Sequence, residues 1–378
     1  MDREDIQGNV LTGFNKPHQR FLMVRLPADA DAARGWLAEL AGDVASDAAV
    51  AEHNALHGKG RAAPVTWIGL SLTWSGLVAL GAPDLDAAFA DDYAFRAGAA
   101  ARAPDLGDLA ASAPATWLFG AGEDAVDAVV TVAADESKDA TKAVKQVEAT
   151  ARRLGARIPF RLAGDRLADG AGHFGFPEGG SQPVVEGAGA DTKPGEFVLG
   201  EESANPQRDP LPDWLRNGSF QVVRVLAQDV RQWRRVAPET REEWVGRHAR
   251  KTVPDAEFAP ERRRLMRRGI PYGPAFESDP DAERGLIFNA FMGSISRQFE
   301  YVQCLWANRS DFPAPGTGPD PLIGARDAHA ERYPGADGVP YARFVRTRAT
   351  VYAVAPGLAG LRALAAGERH GGVPLPGY

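Results

Sequence analysis

Residues Val126–Leu154 read VDAVVTVAADESKDATKAVKQVEATARRL. The opening run, Val126–Ala133, is rich in valine and short enough for a buried strand. From Ser137 onward the pattern changes. Ala140, Ala143, Val144, Val147, Ala151 and Leu154 recur at helical spacing with charged and amide residues between them, which predicts an amphipathic helix with Ser137 as N-cap and Gly155 as its stop. A strand running straight into such a helix is the unit of a sheet covered by helices.

The same rhythm extends outward on both sides. Phe21–Leu26 and Val65–Leu72 read as strands, and Ala30–Leu40 as a helix whose apolar face is Ala33, Trp36, Leu37 and Leu40. Residues 155–215 are rich in Gly, Pro and Asp and read as loop. Beyond them, Phe220–Leu226, Gly285–Met292 and Phe344–Val354 are predicted strands. Ser294–Asn308, with Ile295, Phe299, Val302 and Trp306 on one face, and Gly357–Ala365 are predicted helices. The order of elements predicts an α+β protein of two halves, each a sheet with helices on one face, divided near residues 155–170.

Composition limits the functions open to such a chain. Of 378 residues, 44% are hydrophobic and 25% charged, ordinary globular values that exclude wholesale disorder. The net charge of −7 argues against a general nucleic-acid binder. A single cysteine, Cys304, excludes an intramolecular disulfide or a cysteine-cluster metal site. No apolar run is long enough to span a membrane, and MDREDIQGNVLTG has neither the basic nor the apolar part of a signal peptide, so a cytoplasmic protein is expected. HExxH, GxGxxG, a Walker loop and a GxSxG elbow are all absent, which removes the dinucleotide, P-loop and common hydrolase readings.

Two segments stand out. Gly172–Gly187 (GHFGFPEGGSQPVVEG) sets Glu178 among glycines, with Phe174 and Phe176 just before it. A surface turn with a solvated glutamate accounts for it, and so does a loop whose backbone, at Gly179 for example, comes close to a flat ligand. Arg231–Arg268 carries twelve Arg and Lys against six Asp and Glu. It reads either as a solvated basic helix and turn or as a pocket for an anionic cofactor, with guanidinium forks on carboxylates or phosphates. Five histidines (His18, His53, His57, His329 and His370) sit in polar, loop-like contexts. His173 and His248 flank or lie within the two segments.

Taken in order, these segments resemble the dye-decolorising peroxidases. Ile6–Leu11 (IQGNVL), the Gly172–Gly187 loop, Asn217–Trp233 (NGSFQVVRVLAQDVRQW), Arg268–Pro274 (RGIPYGP), Arg284–Phe288 (RGLIF) and Ser296–Asn308 (SRQFEYVQCLWAN) follow one another as they do in that family. The resemblance implies two ferredoxin-like domains, each an antiparallel sheet with helices on one face, in a barrel-like arrangement (1–160, and a haem-binding 161–378). It implies haem b as cofactor, with hydrogen peroxide and an aromatic, phenolic or dye-like donor as substrates, and a possible homo-oligomer.

Residue by residue, Glu178 falls where relatives carry a distal Asp, and Arg267 on their distal arginine. His248, in HARKTVP and 19 residues before Arg267, fits the segment that supplies the proximal ligand. Phe174, Phe176, Gly179 and Arg250 would then lie around the haem. A rival alignment places Glu243–Arg247 (EWVGR) on a motif well upstream of the ligand, in which case the ligand segment is missing. Three readings stay open at this point: a haem peroxidase, a haem enzyme of altered oxidase- or oxygenase-like chemistry, and a haem-free member of the same fold.

Overall fold

The computed structural model describes residues 1–58, 60, 62–177, 182–186, 191–205, 211–325, 332–334 and 340–367. Its strands are β1 (His18–Arg25), β2 (Thr66–Leu72), β3 (Ala128–Ala134), β4 (Arg157–Asp165), β5 (Ser219–Gln228), β6 (Met266–Arg267), β7 (Ile270–Tyr272), β8 (Gly285–Met292), a separate hairpin of β9 (Arg332–Pro334) and β10 (Pro340–Ala342), and β11 (Val345–Ala355). The order β5-β11-β2-β3-β1-β4-β7-β8 closes on itself, because β8 also pairs with β5. Every pairing is antiparallel. The result is a barrel to which each half of the chain contributes strands.

Strand alternation explains how one sheet serves two cores. Phe21, Met23, Val129 and Leu162 meet Val223, Val225, Ile270, Ile287 and Val351 inside the barrel. Their alternates point outward. In the first half, Leu22, Val24, Val130 and Val132 pack under helices α1 (Ala30–Ala41) and α3 (Ser137–Arg153), against Trp36, Leu37 and Val147. Burial of each such side chain contributes about 1.5–3 kcal/mol. A further helix, α2 (Asp47–His57), is capped by the Ser46 side chain. The second half is covered by α4 (Pro238–Thr252) and two π-helical turns (Ile295–Glu300 and Val302–Ala307), while α5 (Leu358–Ala366) packs against α1 of the first half.

Most predicted elements are present, with three corrections. The N-cap of α3 is Glu136, which makes no side-chain cap, and Ser137 is the first helical residue. The expected loop after residue 155 begins with a strand, β4, paired along β1. Its sequence, RIPFRLAGD, has a proline that argues against a strand, but Pro159 sits opposite a register shift between Met23 and Arg25, where a missing ladder N–H is tolerated. The expected helix Ser294–Asn308 is present as two π-helical turns, with Ile295, Phe299, Val302 and Trp306 buried.

β6 and β7 run beside β8 in one unbroken register: Met266 faces Phe291, Arg267 faces Ala290, and Ile270 faces Ile287. Between them the Arg268 N–H still donates to Asn289 O at 2.6 Å. Ile270 points into the barrel, so Arg267 points to the opposite face, toward α4. Arg268 turns away and donates to the carbonyls of Asn9 and Leu11, at 2.9 and 2.7 Å. Burial pushes its guanidinium pKa down to about 10. Here lies the structural use of Ile6–Leu11. Gln7 Nε2 of the same segment donates to Leu70 O and Pro356 O, so the N-terminus ties β2, β11 and the Arg267 strand together.

Candidate active site

The α4 sequence begins with Pro238 at its first turn, where the absent N–H costs nothing, and ends before Pro254. Trp244, His248 and Lys251 share one face by helical spacing. Trp244 and Lys251 are buried there. The Lys251 ammonium donates to the carbonyls of Trp306 and Arg309 at 3.1 and 2.7 Å, and to Phe312 O at 2.5 Å. These bonds fix the C-terminal half of α4 against the segment that follows the π-helical turns.

His248 is thereby held with Nδ1 2.8 Å from Asp320 Oδ2. Its side chain is 30% exposed, whereas Asp320 is fully buried. The other Asp320 oxygen accepts the N–H groups of Leu322 and Ile323, at 2.8 and 2.9 Å. Burial alone would raise the Asp320 pKa, but the imidazole and these two N–H groups outweigh it and hold the carboxyl below its usual range. Burial likewise opposes charge on His248. Asp320 outweighs that and raises the imidazole pKa, while the Arg267 charge pulls it back. An ionised Asp320 keeps the proton on Nδ1 and leaves the lone pair on Nε2.

Arg267 acts on His248 across the same space, so the structure brings these two predicted residues together. Burial, then the neighbouring Arg264, lowers the Arg267 pKa from its ordinary value. The Arg267 N–H donates to Gln182 Oε1 at 3.1 Å. Glu178 and Gly179 lie outside the described residues, but both ends of their loop are anchored. Ala171 bridges Pro177, His173 Nε2 lies 2.8 Å from Tyr272 O, and Trp233 Nε1 donates to Phe174 O at 3.0 Å. Phe174 stacks on Trp233 with ring centroids 4.4 Å apart, and Phe176 meets the edge of the same ring at 6.3 Å. With Leu226, Trp244 and Phe344 they form an apolar cluster on the face that Arg267 shares.

Arg250 is not gathered with them. Two residues from His248, it is turned about 200° around the helix and is exposed. Sequence reasoning missed Asp320, Gln182 and Lys251. Asp320 sits between two prolines in a stretch of turns, and nothing local distinguishes it from a capping aspartate. Only the Lys251 stem, apolar in length and on the Trp244 face, offered a helical-spacing signal.

The donor set suits a flat, metal-bearing macrocycle. One imidazole, backed by a buried carboxylate and flanked by an aromatic wall, would offer a single ligand to a metal carried by such a group.

Comparisons with known proteins point to one family. The family model for the DyP dimeric alpha+beta barrel domain matches residues 5–158, and that for the Dyp-type peroxidase C-terminal part matches residues 200–312. The chain is 26% identical to the dye-decolorizing peroxidase msp1 of Mycetinis scorodonius, covering 86% of this chain and 77% of that one. It is 27% identical to the multifunctional dye peroxidase DyP2 of an Amycolatopsis species, covering 96% and 95%. The solved structure of an ancestral D-type dye decolorizing peroxidase superposes with a TM-score of 0.81 at 25% identity, covering 96% of this chain and 98% of that one. That of a decolorizing peroxidase from Auricularia auricula-judae superposes at 0.79 and 21% identity, covering 97% and 100%.

The family models and the named relatives make this chain an oxidoreductase of the peroxidase class. The chain belongs to the dye-decolorising peroxidase family, whose members depend on haem. Among the described residues no helix is long and apolar enough to cross a membrane.

Proposed function

We propose that this protein binds haem b at His248 and reduces hydrogen peroxide at the expense of an aromatic, phenolic or dye-like donor. The observation that carries the reading is the His248–Asp320 pair facing the Arg267 side of the cluster. Bound there, haem would supply a redox-active iron. The chain's residues do the rest. His248 presents Nε2, and Asp320 fixes the tautomer and ring orientation by holding Nδ1–H.

Glu178 accepts the proton of one peroxide oxygen and delivers it to the other, so that water departs. This role rests on the resemblance. Arg267 places a guanidinium where negative charge develops on the departing oxygen. We read the chain as two ferredoxin-like halves, divided close to the end of β4, with the haem on the outer face of the second.

The test is the visible spectrum of the purified protein and of His248→Ala. We expect a Soret band in the first and its loss in the second, with the fold preserved by circular dichroism. An undiminished band in folded His248→Ala would move the ligand elsewhere.

A further inference from the structure

The outer face of the sheet holds a second cationic site. Arg224 on β5 lies opposite Phe288 of β8, while Arg267 lies opposite Ala290 of the same strand. Both arginines therefore point to one face. With strands about 4.8 Å apart and a rise of about 3.3 Å per residue, they leave the sheet about 12 Å from each other.

Arg224 is 7% exposed. Its Nη2 donates to both Asp108 oxygens, at 2.7 and 3.0 Å, and to Thr347 Oγ1 at 2.7 Å. Its Nη1 is buried and has no hydrogen-bond partner among the described residues. Arg343, just before β11, feels the charges of both Asp108 and Arg224, and its Nε is also buried without a partner among the described residues. Asp108 is thus bonded to Arg224, while its charge also acts on Arg343. Glu300, on the neighbouring π-helical turn, is already taken by Arg102 at 2.9 Å and by the Tyr352 hydroxyl at 3.0 Å. A buried unpaired N–H on a charged group is costly, and an acceptor that also carries negative charge relieves both deficits.

We propose that Arg224 Nη1 and Arg343 Nε bind a carboxylate, and that this carboxylate is a propionate of the haem held at His248. The proposal rests on the haem reading above. Two packing contacts place the pair at the right edge. Phe344, next to Arg343, has its ring 5.6 Å from Trp244, one turn before His248 on α4. Phe288, opposite Arg224, packs against the cluster that contains Trp233 and Trp244. The arginines stand where the apolar wall gives way to charge. A macrocycle with apolar faces and a carboxylate edge has the same division.

The experiment titrates apoprotein with haemin and with haemin dimethyl ester, whose propionates carry no charge, and reads binding from the Soret absorbance. The wild type is compared with Arg343→Gln and Arg224→Lys, each checked for fold by circular dichroism. Arg224→Lys can keep the bond to Asp108 while losing the second arm of the fork. We expect the wild type to prefer haemin by roughly tenfold or more, and both variants to lose most of that preference with little change in affinity for the ester. Equal affinity of the wild type for the two compounds overturns the proposal, as does an undiminished preference in both folded variants. If the wild type binds neither compound, it is the haem reading that fails.

Discussion

The resemblance sets Glu178 where relatives carry an aspartate shorter by one methylene, and for the proton-shuttle role proposed for it reach matters more than acidity. A proton shuttle must lie within hydrogen-bond range of peroxide or one water away, and a misplacement of about 1 Å can cost about 100-fold. Glu178→Gln keeps the shape and removes the base. It should sharply slow the peroxide-dependent spectral change in stopped-flow mixing, whereas Glu178→Asp should restore or raise the rate. Equal rates for wild type and Glu178→Gln would reduce Glu178 to a loop residue. Arg267 is argued differently, because its charge is already buried on the face shared with His248. Arg267→Leu should retain haem and slow the same step by about 100-fold or more, the loss expected for one oxyanion donor of about 3 kcal/mol. An unchanged rate would take Arg267 out of the mechanism.

At the scale of the element, the loop that carries Glu178 is positioned by its neighbours more than by its own glycines. His173 anchors it to Tyr272 O, and Trp233 to Phe174 O. His173 is 8% exposed. Burial, aided by the nearby Arg284, lowers its pKa below the usual 6.5, against the opposing pull of the Tyr272 carbonyl and of Asp169 and Glu277. Between the native value and 6.5 the unfolded chain binds a proton that the native loop refuses, so stability falls as pH drops through that window. Urea unfolding across this range should show a shallower loss on acidification in His173→Gln than in the wild type. Identical slopes would mean that the loop opens before the imidazole matters. The loop's aromatic anchors were legible in GHFGFPEGG, but their partner Trp233 was not, because it comes from a helix 57 residues after Gly175–Phe176.

The whole molecule is a barrel whose two halves are joined by few ladder bonds and by a large shared core. Val354 faces Leu72 at one seam and Gly164 faces Tyr272 at the other. Inside, however, Phe21, Met23 and Leu162 are covered by Val225, Ile287 and Val351 of the other half. Residues 1–166 expressed alone should therefore expose one apolar sheet face, bind a hydrophobic dye and lack near-ultraviolet dichroism. A cooperatively unfolding monomeric fragment would show instead that the helix-covered face of the first half suffices.

Period-2 and period-3.6 patterns are local, and so the sequence determined most long strands and helices α1, α3 and α5, including the buried faces of α1 and of the π-helical turns. It missed α2 and β4, and α4 was only one of two readings of a basic segment. Segment order determined the family, and with it Arg267 and His248 as candidates. Three things were decided only in three dimensions. β4 is a strand because β1 offers it a partner and a register shift opposite Pro159. Asp320 lies 72 residues beyond His248 and meets it because Lys251 pins α4 to the turns between them. Arg224 on β5 is bonded to Asp108, whose charge also acts on Arg343 just before β11. Each depends on which distant groups share a buried space, and charge and hydrogen bonding in that space follow from neighbours that no local pattern encodes.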